Sequence, residues 1–225
     1  MKVLLFRVKG PFAHFRRVYT TTSASTYSFP PRSAILGMIG AILGVERKNY
    51  AEHLKILKDL KVSVVIEKPI EKIRIPANFV NTKDGRRTQI PVEVIKSPSY
   101  VIAVSSENFD LFDELVNMVK NKETTYPLYL GISEFLATHE FLYLGDAQHV
   151  DPPVKVHSVL PSSKVVIKPE KGVLYLKERA TRQMDEKRKF IKHETYILRK
   201  DAKEIEVESA ETQIFKVGDY FITWL

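Results

Sequence analysis

Four short apolar runs, separated by two amphipathic segments, constrain this chain more than any other feature. The runs are KVLLFRV at residues 2–8, KVSVVIE at 61–67, SYVIAVS at 99–105 and THEFLYLGDA at 138–147. Each is rich in β-branched or aromatic residues, and turn formers such as Lys9-Gly10-Pro11 close them off, the pattern of strands. After the first run, RSAILGMIGAILGV sets Ile35, Met38, Ile39, Ile42 and Leu43 at helical spacing, with Pro31 or Arg32 opening the helix. ENFDLFDELVNMVKN at 107–121 puts Phe109, Phe112, Leu115, Val116 and Val119 on one face and acids in its first turn, which predicts a second helix. YAEHLKILKDL at 50–60 predicts a further amphipathic helical piece. The order β, α, β, excursion, β, α, β over residues 1–147 is that of the ferredoxin-like split βαβ, the RRM architecture, and the fold class is α+β.

The excursion spans about 68–98. Pro69, Pro76, Pro91 and Pro98 punctuate short β-prone runs, and Asp84-Gly85 is a hairpin-turn signal. An arm is expected, with Lys83, Arg86 and Arg87 at its tip. Gly37, Gly40 and Gly44 form a small-residue stripe on the first helix; each weakens a helix by about 1 kcal/mol, so close backbone approach is expected, to the sheet in the first place and otherwise to RNA. Asp151-Pro152-Pro153 marks a boundary. Beyond it, runs such as KVVIK, KFIKHETYILR and EIEVES predict a small β-rich module over 151–225, following a first domain at 1–150.

The net charge of +8 is unevenly distributed. Residues 1–50 hold eight Lys/Arg against one acid, residues 61–100 eight against four, and residues 101–150 two against eight. Such segregation suits a polyanion-binding face built from the first hundred residues. The absence of cysteine excludes disulfides and thiolate zinc sites. No apolar run approaches the roughly 20 residues that cross a bilayer, and MKVLLFRV is too soon interrupted by charge for a signal peptide; a cytoplasmic location is expected. The six histidines form no HExxH pair, and neither GxSxG nor a P-loop occurs. No metal and no cofactor are expected.

Residues 9–32 interleave three kinds of side chain that together grip single-stranded RNA. Lys9, His14, Arg16, Arg17 and Arg32 supply charge; Phe12, Phe15, Tyr19, Tyr27 and Phe29 supply rings; residues 20–26 supply hydroxyls. Phe29 is the aromatic best suited to the core instead. In an extended chain neighbouring residues face opposite ways, so one of Arg16 and Arg17 at most meets RNA from a given face.

KVLLFRVKGPFAHFRR, TYSFPPRSAILGMIGAILG and YPLYLGISEFLA resemble the family-five Cas proteins, members of the RAMP superfamily of CRISPR subunits. The resemblance covers about two-thirds of the chain. It implies a subunit of a type I Cascade complex, I-B-like in subtype, that grips the 5′ handle of the guide (CRISPR) RNA in antiviral defence. It implies as partners a backbone subunit and a large subunit, with target DNA met through the complex. The 68–98 arm would be the thumb that folds over the first nucleotides. Gly131-Ile132-Ser133 resembles the family's glycine-rich loop, where backbone N–H groups approach a phosphate; a plain strand turn explains the same residues equally well.

One branch of the family cuts precursor RNA with a Tyr/Lys/His constellation acting on the 2′-OH. That chemistry needs a base for the hydroxyl proton and a cation for the phosphorane. His14 beside Arg16 and Tyr27 is the available set in the basic region, whereas the adjacent pair Lys192-His193 falls in the C-terminal module. The expectation is therefore a non-catalytic RNA-binding subunit, with a metal-independent endoribonuclease as the alternative.

Overall fold

The computed structural model describes residues 1–18, 24–46, 57–80, 82–106, 111–185, 187 and 189–225. The expected helical piece at 50–60 falls largely outside these residues, as do Tyr19, the hydroxyls at 20–23 and Phe109.

The chain begins with β1 (Lys2–Lys9), followed by the two-residue strands β2 (Phe12–Ala13), β3 (Phe15–Arg16) and β4 (Thr26–Tyr27), then α1 (Arg32–Leu43). Next come β5 (Lys61–Ile66), β6 (Lys72–Val80), β7 (Arg87–Lys96), β8 (Ser99–Ser105), α2 (Phe112–Asn121) and β9 (Thr138–Asp146). The four predicted core strands form one sheet in the order β5-β8-β1-β9, with every neighbouring pair antiparallel. Both faces of this sheet are buried, which is why its strands read as unbroken apolar runs. On one face Leu4, Phe6 and Val8 join Ile35, Ile39 and Ile42 of α1 and Leu115, Val116 and Val119 of α2. Alternation then sends Val3 and Leu5 to the other face, where they meet Val217 and Ile222 of the C-terminal region. Arg7 shares that second face and is matched there. Its guanidinium grips the Glu67 carboxylate with two bonds of 2.7 and 2.8 Å and reaches Glu140 at 3.2 Å. Burial opposes ionisation of Glu67, yet hydrogen bonds from Arg7 and Ser99 hold its carboxyl below the usual range.

α1 starts at Arg32 after Pro31, where the missing N–H costs nothing. It ends at Gly44, whose φ of +74° lets its N–H reach the Gly40 carbonyl. The expected glycine stripe is divided: Gly40 is buried, Gly44 abuts Thr125, and Gly37 faces open space. The 68–98 excursion is the hairpin β6–β7, in register from Lys72↔Ile95 to Val80↔Arg87 and closed through Gly85 at φ +68°.

After Asp151 the chain is built of strands, as its short β-prone runs predict. Beyond β10 (Gln148–Val150) lie β11 (Val154–Val156), β12 (Leu160–Pro161), β13 (Val165–Ile167), β14 (Tyr175–Met184), β15 (Phe190–Arg199), β16 (Ile205–Ala210), β17 (Ile214–Val217) and β18 (Tyr220–Ile222). They form three small sheets, β10-β17-β18, β11-β16-β13 and β12-β15-β14. Val159, Ala180, Tyr196, Leu198 and Leu225 enter the main core beside α1, so the two halves of the chain share one apolar interior. Among the described residues no helix is long and apolar enough to cross a membrane.

Candidate nucleic-acid interface

Most of the residues expected to grip RNA lie along β1 to β4 and the links between them, and strand pairing decides which of these face outward. β3 pairs with β4, setting Phe15 opposite Tyr27 and Arg16 opposite Thr26. Phe15 N–H donates to Thr26 Oγ1 at 2.8 Å, and Thr26 is itself fully buried. The pleat then turns Arg16 to solvent and drives Phe15 and Tyr27, each 3% exposed, into the main core. Phe15 meets Tyr100 edge-on at 6.1 Å. These two rings are therefore core residues rather than stacking platforms, since a ring already sandwiched by protein has no face for a base. Phe29 is core as expected. Phe12 is half-buried against Phe135, at 5.7 Å, in a small apolar cluster under β6–β7.

His14 is also removed from the surface. It is 4% exposed, and its Nδ1 lies 2.7 Å from the Glu93 carbonyl oxygen. A carbonyl only accepts, so Nδ1 carries the proton. Burial depresses the ring's pKa more than the Glu93 carbonyl raises it, and nearby Arg16 lowers it further. His14 is a neutral structural donor.

Arg17 and Arg32 hold the fold together. Arg17 Nη2 lies 2.5 Å from Glu178 Oε1, its Nε donates to the Thr26 carbonyl at 3.1 Å, and its guanidinium covers the Tyr27 ring at 5.6 Å. Glu178, on β14, is buried, and it also accepts from Ser28 N–H at 2.7 Å and Ser28 Oγ–H at 2.8 Å. Lys72 Nζ stands 3.4 Å away and donates to the Thr26 carbonyl at 2.9 Å. A buried carboxylate is tolerated only when its oxygens are satisfied and its charge is countered, and both conditions are met here. Arg32 turns inward, donating to the carbonyls of Lys58 and Leu60 at 2.6 and 2.9 Å.

The β6–β7 tip keeps the expected exposed cations. Lys83, Arg86 and Arg87 all face solvent. Arg86 is 3.6 Å from Asp84 but 86% exposed, so that pair is worth little and leaves the charge available. Phe79 and Val80 are exposed beside them.

Gly131 sits in the turn where Tyr129 bridges Leu136. Its φ is +97°, and a Cβ there would collide with the His14 carbonyl oxygen. The glycine is thus required by close passage of the β2–β3 segment, which also bonds His14 N–H to the Leu130 carbonyl at 2.9 Å. Ser133 is exposed and donates to its neighbour Glu134 at 3.1 Å. Below this turn, Lys9, Gly10, Pro11, Lys68, Ser97 and Pro98 line an open groove of about 400 Å³ with Leu136 to Thr138. Lys9 is 4.0 Å from Glu140 and more than half exposed. Lys68 is exposed on the same groove; it was missed in the sequence because a single Lys before Pro69 carries no pattern.

The exposed cations Lys9, Arg16, Lys68, Lys83, Arg86 and Arg87 therefore all belong to the first hundred residues. Among the described residues no group of three or more His, Asp or Glu could hold a metal ion.

Among the solved structures that share this fold are two CRISPR proteins. One is a CRISPR protein from Archaeoglobus fulgidus, 10% identical, with a TM-score of 0.61 over 100% of this chain and 99% of that one. The other is a chain of a CRISPR RNA-guided surveillance complex, 16% identical, with a TM-score of 0.57 over 91% of both chains. No curated protein matches the sequence. A family model described as CRISPR-associated protein (Cas_Cas5) matches residues 3–199, nearly the whole of the sheet, the helices, the β6–β7 arm and the hairpin carrying Glu178. The chain belongs to the CRISPR-associated Cas5 family.

Proposed function

We propose that this protein is a non-catalytic subunit of a type I CRISPR effector complex that grips the 5′ handle of the guide RNA. On this reading β1, α1, β5, β8, α2 and β9 are a ferredoxin-like domain, β6–β7 is its thumb, and residues 151–225 are a β-rich module closing the second sheet face. Because that face is occupied by Val217, Ile222 and their neighbours, RNA is held along the strand edges and loops rather than stacked across the sheet as on an open RRM. The observation that carries the proposal is the division of labour on β3. Its outward residue, Arg16, is an exposed cation, while His14 and Tyr27, the candidates to take a proton from a 2′-OH, are buried, His14 with its Nδ1 bonded to the Glu93 carbonyl and Tyr27 under the Arg17 guanidinium. Among the described residues of β2 to β4 the cation is accessible and the candidate base is not, an arrangement that suits binding and not cleavage. The test is to incubate the purified protein with repeat-containing precursor RNA in EDTA and resolve the products on a denaturing gel. Intact RNA that is nonetheless retained in a filter-binding assay is expected. A single discrete cut within the repeat, abolished by His14→Ala, would establish the endoribonuclease instead.

A further inference from the structure

The near balance of charge in residues 151–225 hides a surface that the fold sorts by sign. β14 and β15 form a two-stranded ribbon, in register from Tyr175↔Arg199 to Met184↔Phe190, and the acids described on it are spent internally. Glu178 is buried on Arg17 and Ser28. Glu194 keeps 12% of its side chain in water, accepts from Ser163 Oγ–H at 3.1 Å and lies 3.7 Å from Arg182. Asp185, just beyond β14, accepts from the backbone N–H groups of Lys187 and Lys189 at 2.9 and 2.7 Å. The cations are left outside. Lys177, Arg179 and Lys192 are the exposed charged side chains described on the two strands, and Lys189 is exposed one residue before β15. No described acid pairs with any of the four. Lys177 and Arg179, two residues apart, share a face of β14. A lone lysine on an edge strand guards it against stray pairing; four unpaired cations with no exposed acid described among them make a field of one sign instead.

We infer that the β14–β15 ribbon is a sequence-independent contact for the sugar–phosphate backbone of duplex DNA. The inference goes beyond the guide-RNA reading and does not depend on it. The partner is a polyanion because the exposed charge is of one sign. It is a duplex because the ribbon lacks what a single-strand grip requires. Single strands are held on rings that stack with splayed bases and, in RNA, by groups that meet the 2′-OH. Tyr175 lies under the Arg199 guanidinium at 6.0 Å and Tyr196 is buried, which leaves His193 as the one exposed ring among the described residues of the ribbon. The Thr181 hydroxyl is buried as well. Lysine and arginine without rings or hydroxyls neutralise phosphates and carry no base readout, which is how a protein holds a duplex of any sequence.

The test uses the full chain and a short fluorescein-labelled DNA duplex of arbitrary sequence, with binding read by anisotropy across a salt series. The parent binds, and a second duplex of unrelated sequence binds alike. Joint replacement of Lys177, Arg179 and Lys192 by Ala flattens the slope of log K against log salt by up to about 2.7, three contacts at about 0.9 each on B-DNA. The melting midpoint stays at the parental value, since these side chains are exposed and unpaired, and binding of a single-stranded oligouridine is retained. A parent that binds no duplex, or a triple variant with the parental slope, overturns the assignment. Equal loss of duplex and oligouridine binding overturns it too, because the ribbon then belongs to the single-strand surface. A parent that binds duplex but not guide RNA refutes the guide-RNA reading alone. Should the triple variant melt early, the joint variant Lys177→Gln and Lys192→Gln, which keeps most of the side-chain stem, decides the matter by a slope change of up to about 1.8.

Discussion

Replacing Glu178 by Ala tests whether a C-terminal carboxylate fastens the N-terminal basic segment. The substitution removes the acceptor of four donors: Arg17 Nη2, Ser28 N–H, Ser28 Oγ–H and Lys72 Nζ. Breaking a buried ion pair from one side costs about 3–5 kcal/mol, because the remaining charge stays uncompensated. Here Arg17 and Lys72 keep 26% and 22% of their side-chain surface in water, and Lys72 retains Glu93 at 3.7 Å, so the low end, about 3 kcal/mol, applies. At about 2–4 °C per kcal/mol for a chain of this size, the thermal midpoint falls by about 6–12 °C. Glu178→Gln loses less, since its amide oxygen still accepts from Ser28. Differential scanning calorimetry measures both, and a double-mutant cycle with Ser28→Ala isolates the coupling across the two halves of the chain. A midpoint shift of Glu178→Ala within about 2 °C, less than one kcal/mol, would refute the view that this carboxylate joins them.

Arg16→Ala lowers the salt slope of RNA binding by about 0.7, one phosphate contact, with little change in stability, whereas Arg17→Ala and Arg32→Ala chiefly lower the melting midpoint; filter binding and calorimetry distinguish them. Gly131→Ala combines a positive φ with a collision at the His14 carbonyl, so a loss of at least about 2–3 kcal/mol in urea unfolding is expected. The pKa values of His14, His139 and His157 are all lowered, chiefly by desolvation. The rings are neutral in the fold and take up protons near the usual 6.5 once unfolded, so stability present above pH 6.5 declines as pH falls through and below that value. Midpoints measured across this range reveal the decline, and His14→Gln reduces it.

The strands of the central sheet were legible because burial on both faces leaves a continuous apolar run, and the arm because Asp84-Gly85 declares its turn. α1 followed from Pro31 and the isoleucine spacing. The basic segment was read less well. β2, β3 and β4 are two residues long, too short for a period, so nothing in FAHFRR distinguishes Phe15, which is core, from a ring held out for a base. Composition equally cannot separate Arg16, which faces water, from Arg17, whose partner Glu178 lies 161 positions away. Within a β-prone run a lone acid such as Glu178 looks like a solvated residue. Its burial follows only from docking β14 against Ser28, a contact no local pattern encodes. The covering of the second sheet face by β17 and β18 escaped notice for the same reason.

The central claim is a handle-specific grip without cleavage, and filter binding at fixed salt tests it most directly. Mature guide RNA is compared with an RNA of equal length whose 5′ handle is scrambled, each in EDTA and each recovered for gel analysis. The account predicts that the true handle binds more tightly and that both RNAs are recovered whole. Equal binding of the two, or a discrete cut in the true handle, would contradict it.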